Sequence, residues 1–324
     1  MKVMDVLLTG ATGQLGREIV PRLLNRGDHL RLLVRDLTKA KQLFPDYDLV
    51  QGDILEDDLG IKETMNLDAV YHLAADINLG SNRDDEVWAT NYTGTANVVR
   101  FCERNSIRYL SYAGTAFTQK GRNAYERSKK AAEQFVESSQ IDKKTIFKIG
   151  ILVPALKEPG KASMEPPYLL GRGICMLYDR KEVVKKRLEG TLQLPIEEPV
   201  FRIRGIPDAK LNLVPVDVVA DFIVNTTEAG TFWLTHPNPP RLSDLEKWGR
   251  EVLHVAIEFQ PDFEMSELEA VFNEVARPFL PYLLGDDFPS DLKDCPVITD
   301  EFATESLSHS IISLDGLHSN KWLK

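Results

Sequence analysis

The sequence has few cysteines, and they form no recognisable pattern. Cys102, Cys175 and Cys295 are an odd number, lie far apart and include no Cys-x-x-Cys pair. We therefore predict free structural thiols in a reducing compartment rather than a disulfide framework. The six histidines show no spacing typical of metal ligands, so the sequence predicts no metal site.

Long apolar runs and an excess of basic residues are also absent. No stretch of roughly 18 uncharged apolar residues occurs, and a membrane-spanning helix needs about that length. Asp5 interrupts the short apolar run at the N-terminus, so we expect no secretory signal and predict a cytoplasmic protein. The chain has 39 Lys and Arg against 49 Asp and Glu, a formal net charge of −10. Nucleic acids and anionic membranes bind positive surfaces, so neither is predicted as a partner.

The first half of the 324 residues alternates strand-length apolar runs with longer amphipathic stretches, which is typical of βαβ units. The predicted strands lie near residues 3–9, 30–34, 47–51, 69–73, 107–113 and 145–152. The predicted helices lie over residues 14–25, 37–43, 86–105 and 125–139. This order predicts an α/β fold, a Rossmann-type doubly wound parallel sheet with a smaller, mostly helical substrate-binding lobe.

A glycine-rich loop, Thr-Gly-Ala-Thr-Gly-Gln-Leu-Gly at residues 9–16, lies between the first predicted strand and the first helix. Two of its glycines permit a tight turn and a close approach to a pyrophosphate, and the third lets the helix press on the sheet. The helix N-terminus adds N–H donors and the positive end of its dipole. We therefore predict dinucleotide contacts from Gly10, Thr12, Gly13, Gln14, Leu15 and Gly16.

The residue after the second strand distinguishes the two nicotinamide dinucleotides. An acidic side chain there binds the ribose 2′-hydroxyl of NAD, whereas an arginine pairs with the 2′-phosphate of NADP. Arg35 stands first and Asp36 follows it. The sequence therefore favours NADP(H), and Asp36 leaves NAD(H) open.

The ends of the third and fourth strands supply further candidate contacts, because open α/β sheets bind ligands at the carboxyl ends of their strands. Asp53, followed by Ile54, is placed to accept a hydrogen bond from the adenine amine. Small residues in the sequence Leu73-Ala74-Ala75 would let the backbone lie against the cofactor. Asn91 either orders the site or is a purely structural amide buried in a helix.

Prolines become frequent between residues 154 and 215, which predicts loops and an irregular lobe rather than continued sheet. Residues 211–217 restore a strand-to-helix step. We therefore predict an NAD(P)-binding Rossmann domain from residues 1–155 and 211–235, and a substrate-binding lobe from residues 156–210 and 236–324.

Tyr125 and Lys129 are the strongest catalytic candidates. Their spacing of four residues on a predicted helix stacks both side chains on one face. A neighbouring ammonium stabilises a phenolate and lowers the pKa of the tyrosine toward working pH. The helix follows the fifth strand of a dinucleotide-binding pattern, which gives this common motif its weight.

Several motifs together resemble the extended short-chain dehydrogenase/reductase family, with its NAD-dependent epimerases and dehydratases. They are Thr9–Gly16, Val70–Ala75, Asn91–Thr95, Tyr125–Lys129 and Val214–Asp221. The last two are most similar to the branch of thioester reductases and fatty acyl reductases. The resemblance implies a triad in which Tyr125 is the acid/base, Lys129 binds the nicotinamide ribose, and a Ser or Thr hydroxyl polarises the substrate oxygen.

The triad hydroxyl has two candidates. Counting along the fifth strand from Ile107 places Thr115 at the family position, whereas another register makes Ser111 the nearest hydroxyl. Ten positions separate Thr115 from Tyr125, fewer than the family usually has. Lys148-Ile149 stands where an Arg-Pro step is common. Both departures bear on the substrate more than on the fold.

These observations predict an NADP(H)-dependent oxidoreductase that reduces a small carbonyl or acyl-thioester substrate. Two alternatives stay open: a nucleotide-sugar epimerase or dehydratase with bound NAD, and a non-catalytic NADP-binding sensor. The sequence leaves the oligomeric state open; in the family that the chain resembles, the helices that flank the fourth and fifth strands often pair to form a homodimer.

Overall fold

The computed structural model describes residues 3–161, 166–191 and 197–313, so the end of the predicted 236–324 segment lies outside the described residues. The chain divides into two compact units. The first comprises Met1–Gly150, Val216–Thr235 and Ser290–Leu292. The second comprises Ile151–Pro215, His236–Pro289 and Lys293–Lys324.

A seven-stranded parallel sheet forms the centre of the first unit. Its strands are β1 (Asp5–Thr9), β2 (His29–Val34), β3 (Asp48–Gln51), β4 (Ala69–His72), β5 (Tyr109–Thr115), β6 (Lys143–Ile149) and β10 (Gly230–Leu234). Their order across the sheet is β10-β6-β5-β4-β1-β2-β3. The order reverses between β1 and β4, and open α/β sheets bind ligands at such a switch point. The predicted Rossmann-type fold is confirmed.

Helices cover both faces of this sheet, as the near-continuous apolar strands require. They are α1 (Gln14–Asn25), α2 (Leu37–Leu43), α3 (Asp84–Trp88), α4 (Gly94–Arg104), α5 (Ala124–Ser138) and α8 (Val216–Asn225). The single helix predicted over residues 86–105 is instead α3 and α4, joined by a π-helical segment at Ala89–Thr93. Leu7, Val70 and Leu110 of the strands are buried in one core cluster with Val98 of α4 and Val136 of α5.

The sixth strand is shorter than the sequence predicts. The prediction extends it to residue 152, but β6 ends at Ile149 and a separate strand, β7 (Ile151–Val153), follows Gly150. β7 pairs with β9 (Leu213–Pro215) rather than with the large sheet. The chain therefore leaves the first unit at Gly150 and returns at Val216, whereas the sequence predicts residues 155 and 211.

The second unit is mostly helical, with β7 and β9 as one small sheet and β8 (Glu197–Arg204) and β11 (Val255–Gln260) as another. Its helices are α6 (Pro166–Leu177), α7 (Lys181–Leu188), α9 (Leu242–Leu253), α10 (Glu267–Ala276) and α11 (Asp300–Ile312). The sequence prediction of a helical C-terminal part misses β11, because its partner β8 is remote in the chain. Within the described ranges, no helix has the length and apolar character needed to cross a membrane.

Candidate functional site

The glycine-rich loop connects β1 to α1 at the switch point of the sheet. Gly10 has φ of +80°, and a Cβ added there would lie 2.6 Å from the Ala74 backbone nitrogen. A Cβ on Gly16 would lie 2.3 Å from the Gly10 carbonyl oxygen. Glycine is therefore required at both positions, at the first by backbone conformation and contact and at the second by contact alone. The Gly13 N–H donates to the Gly10 oxygen at 3.1 Å and closes the turn.

The N-terminus of α1 fits a pyrophosphate. Gly13 is its N-cap residue, no side chain caps the helix, and its first turn carries no acidic residue. The N–H groups of the first turn therefore remain available to an anion, and the helix dipole favours negative charge there. Thr12 is half-buried and Gly13 is exposed, so solvent and ligand can reach the loop.

The two residues after β2 have different environments. Asp36 caps α2, and its Oδ1 accepts a hydrogen bond of 3.0 Å from the Lys39 N–H. The Arg35 guanidinium is exposed and has no ion pair among the described residues. Asp36 is therefore partly committed to its helix, whereas Arg35 is available to a ligand.

The segment after β3 is held against α4. Asp53 is half-buried, and its Oδ1 accepts from the Leu55 N–H at 3.0 Å. Ile54 is buried and packs so closely on Gly94 that a Cβ there would lie 2.6 Å from its Cδ1. Asn97 Nδ2 donates to the Ile54 oxygen at 2.9 Å. These contacts order Asp53 beside the end of the sheet.

His72, the last residue of β4, is buried in a closed chain of hydrogen bonds. The Thr95 hydroxyl donates to the Asn91 oxygen at 2.6 Å and so accepts from His72 Nε2 at 3.0 Å. This assigns His72 Nδ1 as the acceptor of the Thr9 hydroxyl, at 2.7 Å. Burial, with the positive charge of Lys129, lowers the pKa of His72 to about 3. A neutral, fully bonded imidazole fits a structural role.

Asn91 lies in the π-helical segment and is fully buried. Its Oδ1 accepts from the Asp76 N–H at 2.8 Å, and its Nδ2 donates to the Asp76 oxygen at 2.9 Å and to Ser128 Oγ at 3.2 Å. Both amide protons are thus used within the protein. Asn91 orders the loop that continues from Leu73, Ala74 and Ala75, and it ties that loop to α5.

The Tyr125–Lys129 pair lies at the start of α5, where Asn123 Oδ1 caps the helix by accepting from the Glu126 N–H at 2.9 Å. Tyr125 is half-buried, whereas Lys129 is only 2% exposed. Lys129 Nζ donates to the Ala113 oxygen of β5 at 2.6 Å. Burial lowers the pKa of Lys129 to about 7, and the negative charge of Glu133 acts in the opposite direction.

Thr115 and Ser111 occupy different places on β5. Ser111 lies mid-strand, paired with Tyr71 on one side and Thr145 on the other. Thr115 is the last residue of β5, beyond the point where β4 ends opposite Tyr112. The Thr115 hydroxyl accepts from the Phe117 N–H at 3.3 Å and donates to the Ile149 oxygen at 3.4 Å. Only Thr115 therefore lies at the carboxyl edge of the sheet.

The short connection between Thr115 and Tyr125 is held by a residue that the sequence analysis did not select. Glu126 is fully buried, and its two carboxylate oxygens accept from Arg122 Nε at 2.7 Å and the Arg122 N–H at 2.8 Å. The Arg122 guanidinium lies 5.7 Å from the Phe117 ring centroid. The spacing of four residues between Arg122 and Glu126 was the available signal.

A second unselected group is the pair of Lys148 on β6 and Glu133 on α5. The Lys148 Nζ lies 2.6 Å from Glu133 Oε1, and both side chains are nearly buried. Glu133 follows Lys129 by one helical turn, which was its only signal in the sequence. Among the described residues, no group of three or more His, Cys, Asp or Glu side chains is arranged to hold a metal ion.

Comparisons with known proteins match two families. Residues 6–156 match the NAD dependent epimerase/dehydratase family, and residues 116–223 match the family described as Male sterility protein. The chain is 28% identical over 157 residues to a 3 beta-hydroxysteroid dehydrogenase/Delta 5-->4-isomerase of Mycobacterium tuberculosis, with 40% of this chain and 41% of that protein covered. It is 26% identical over 237 residues to a hybrid PKS-NRPS synthetase of Talaromyces variabilis, with 67% of this chain but 5% of that protein covered.

Solved structures share the fold. A thiolation-reductase di-domain from an archaeal non-ribosomal peptide synthetase has a TM-score of 0.68 at 16% identity, with 95% of this chain and 75% of that chain covered. The UDP-glucose 4-epimerase of Thermotoga maritima has a TM-score of 0.63 at 16% identity, with 96% and 99% covered.

The two family matches together span the glycine loop, β5, the Tyr125–Lys129 pair and α8 as far as residue 223. The sequence motifs and the parallel sheet agree with both. The two family matches, each to less than half of the chain, support an extended short-chain dehydrogenase/reductase of the NAD(P)-binding, epimerase/dehydratase-like group, with similarity to the thioester reductase branch.

Proposed function

We propose that this chain is an NADP(H)-dependent reductase of a carbonyl or acyl-thioester substrate, with Thr115, Tyr125 and Lys129 as catalytic residues. One observation carries the proposal. Lys129 is buried against β5, one helical turn from Tyr125, with its ammonium bonded to the Ala113 carbonyl oxygen at 2.6 Å. A buried cation beside a half-buried phenol serves to stabilise a phenolate.

The chemistry divides among the three side chains. A nicotinamide cofactor, when bound, would supply the hydride for the carbonyl or thioester carbon. Tyr125 donates its proton to the oxygen of that carbonyl, and Lys129 stabilises the phenolate that remains. Thr115 would exchange its long 3.4 Å hydrogen bond to the Ile149 oxygen for one to the same substrate oxygen, as an oxyanion stabiliser. A thioester would give a hemithioacetal, whose C–S bond breaks to release an aldehyde and the free thiol; a second hydride and a second proton would reduce the aldehyde to an alcohol.

The cofactor preference rests on the end of β2. Arg35 is exposed and available, and a guanidinium pairs with a phosphate through two parallel hydrogen bonds. One carboxylate oxygen of Asp36 accepts the N-capping hydrogen bond of α2. This division favours the 2′-phosphate of NADP over the 2′-hydroxyl of NAD.

The second unit supports a substrate with an alkyl portion. It contains a cavity of about 60 Å³ whose side-chain lining has only two polar groups. The hydroxyl of Tyr168 accepts from Ser306 Oγ at 3.0 Å, and the indole N–H of Trp248 donates to Asp300 Oδ1 at 2.7 Å. Both groups are thus engaged, so the cavity suits hydrocarbon better than a sugar or water. This favours the predicted role of the second unit as a substrate-binding lobe.

A nucleotide-sugar epimerase or dehydratase is the second candidate. It is favoured by the match of residues 6–156 to the epimerase/dehydratase family and by the shared fold of the Thermotoga maritima UDP-glucose 4-epimerase. Such an enzyme regenerates its cofactor in each turnover, so it would retain tightly bound NAD through purification.

The proposal can be tested by screening acyl-CoAs, aldehydes and ketones as substrates and following NADPH oxidation by its absorbance at 340 nm. We expect turnover with at least one carbonyl or thioester class, and a loss of about 100-fold or more in kcat for Tyr125→Phe. Unchanged turnover in Tyr125→Phe would exclude the triad mechanism. NADPH binding without turnover of any substrate would favour the non-catalytic sensor, and NAD that co-purifies would favour the epimerase.

A further inference from the structure

A buried ion pair lies directly beside the proposed catalytic lysine. Glu133 belongs to the same helix face as Lys129, one turn further along α5. Lys148 reaches Glu133 from β6, with 2.6 Å between Nζ and Oε1 and side-chain exposures of 11% and 12%. A charged pair so poorly solvated interacts strongly with a third charge nearby.

The two members of this pair are not equally held. Lys148 Nζ also donates to Thr118 Oγ1 at 3.2 Å and lies 4.9 Å from the centroid of the Trp233 ring. Glu133 Oε2, by contrast, is buried and has no hydrogen-bond partner among the described residues. Lys148 is therefore the group that holds the carboxylate in place and balances its charge.

The charges that face Lys129 come from a small number of elements. On α5, Glu133 is the carboxylate whose charge acts on it. On β5, the Ala113 oxygen accepts its hydrogen bond, and the Tyr112 ring centroid lies 4.5 Å from its Nζ. On β4, His72 is neutral above a pKa of about 3. Glu133 is thus the anion through which a more distant residue can act on Lys129.

We propose that Lys148 is a positioning residue for Lys129, acting through Glu133: it fixes the carboxylate and offsets part of its charge, which adjusts how readily the Lys129 ammonium releases its proton. The effect on turnover rests on the proposed function. The effect on the protonation of Lys129 does not, because it follows from charges that the folded chain contains without a cofactor.

Removing the charge of Lys148 and removing that of Glu133 should shift the pKa of Lys129 in opposite directions. Without the Lys148 ammonium, the full charge of Glu133 acts on Lys129, favours its protonated form and raises its pKa. Without the Glu133 charge, burial and the unpaired Lys148 ammonium both disfavour the protonated form, and the pKa of Lys129 falls. A residue that only supported the packing of β6 on α5 would not produce shifts of opposite direction.

The test is a pH titration of the Lys129 Cε resonance in protein labelled with ¹³C-lysine, without cofactor. The resonance is assigned from its absence in Lys129→Arg. We expect the midpoint to rise by about 0.5 to 1 pH unit in Lys148→Met and to fall by a similar amount in Glu133→Gln. Lys148→Arg should restore a midpoint close to that of the unsubstituted chain.

Lys143→Met is the matched control, since Lys143 also lies on β6 with its ammonium near an aromatic ring, 5.4 Å from the Tyr109 centroid. It should leave the midpoint unchanged. The double variant Lys148→Gln/Glu133→Gln removes both charges and avoids a buried unpaired ion, so it tests the same point if Lys148→Met does not fold. Its midpoint should lie above that of Glu133→Gln, which keeps the Lys148 ammonium, and below that of the unsubstituted chain; a midpoint equal to that of Glu133→Gln would show that the Lys148 charge has no effect on Lys129.

Shifts of the same sign in Lys148→Met and Glu133→Gln, or no shift in either, would overturn the inference. The second measurement is the pH profile of kcat for NADPH oxidation. The pH at which kcat changes should shift in the same direction as the NMR midpoint. Midpoints that move as expected in a chain without reductase activity would uphold the inference and reject the proposed function.

Discussion

At the level of a single side chain, the proposed preference for NADPH rests on Arg35. A charge-assisted hydrogen bond to the 2′-phosphate is worth about 1.5–3 kcal/mol. We therefore expect Arg35→Ala to reduce the preference for NADPH over NADH by at least about tenfold in kcat/KM. The measurement is the ratio of kcat/KM for the two cofactors. Arg17→Ala, which removes another exposed arginine near the loop, should leave that ratio unchanged; an unchanged ratio in Arg35→Ala would reject the assignment.

His72 makes the stability of the first unit depend on pH. Its pKa is lowered from 6.5 to about 3 by burial and by Lys129, so the unfolded chain binds a proton that the folded chain refuses between those two values. Its contribution to stability is therefore complete above about pH 6.5 and is lost as the pH falls toward 3.

Replacement of His72 by glutamine should remove this dependence. Between about pH 7 and pH 4.5, the unfolding free energy of the original chain should fall by about 2 kcal/mol more than that of His72→Gln does. Urea unfolding at a series of pH values measures it. His29→Gln is the control, because the His29 side chain is 73% exposed; a pH dependence as large there would contradict the role of His72.

At the level of a single element, two glycines of the loop between β1 and α1 have different roles. A Cβ at Gly16 would meet backbone atoms at 2.3 Å, whereas a Cβ at Gly13 would meet only the Gly10 oxygen, at 3.3 Å. Gly13 has φ of −73°, which alanine adopts without strain. Gly16 is therefore needed for close packing within the loop, whereas Gly13 is available to contact the ligand.

This difference predicts two distinct phenotypes. Gly16→Ala should lower the unfolding free energy by about 2 kcal/mol or more, because backbone cannot move aside. Gly13→Ala should lower the stability much less than Gly16→Ala, because its Cβ lies 3.3 Å rather than 2.3 Å from the Gly10 oxygen. It should raise the Kd for NADPH at least about tenfold, because its methyl group would stand where the pyrophosphate approaches. Thermal unfolding and fluorescence titration distinguish them, and normal NADPH binding by Gly13→Ala would contradict the proposed cradle.

For the whole molecule, the homodimer stays a prediction, and the surface of the first unit suggests where to test it. Trp88 is 40% exposed and contacts Tyr92 at a ring distance of 5.4 Å, and Tyr92 contacts Phe135 of α5 at 6.2 Å. A cluster of one exposed and two half-buried aromatic rings beside α4 and α5 suits pairing of two copies.

Sedimentation equilibrium should give about twice the chain mass of 36.6 kDa. Trp88→Glu should shift the equilibrium toward monomer, since a buried charge is costly at an interface. Leu24→Glu on α1 is the matched control, because Leu24 is also 40% exposed. A monomer in the original chain, or equal effects of both substitutions, would refute this surface.

The net charge of the whole chain and the local charge at the proposed dinucleotide site lead to different conclusions. The value of −10 describes the chain as a whole and disfavours nucleic acid as a partner. The site proposed for a dinucleotide relies instead on a helix N-terminus, Arg35 and Lys129. These groups act over a few ångströms, so the total charge is a poor guide to them.

The sequence by itself determined the features that depend on local order. The alternation of apolar strands and amphipathic helices predicted six strands of the large sheet, and the glycines at residues 10, 13 and 16 predicted the β1–α1 loop. Both are local because strand, turn and helix follow one another within a few residues. The spacing of Tyr125 and Lys129 likewise needs only one helical turn.

Only the tertiary structure decided the features that depend on contacts between remote segments. β10 joins the large sheet through β6, β11 pairs with β8, and β7 leaves the sheet to pair with β9. The contact between Lys148 and Glu133 exists because β6 lies beside α5 in space, and nothing in the spacing of these residues specifies it. Long-range pairing and burial are properties of the assembled chain, and so are the pKa values that burial sets.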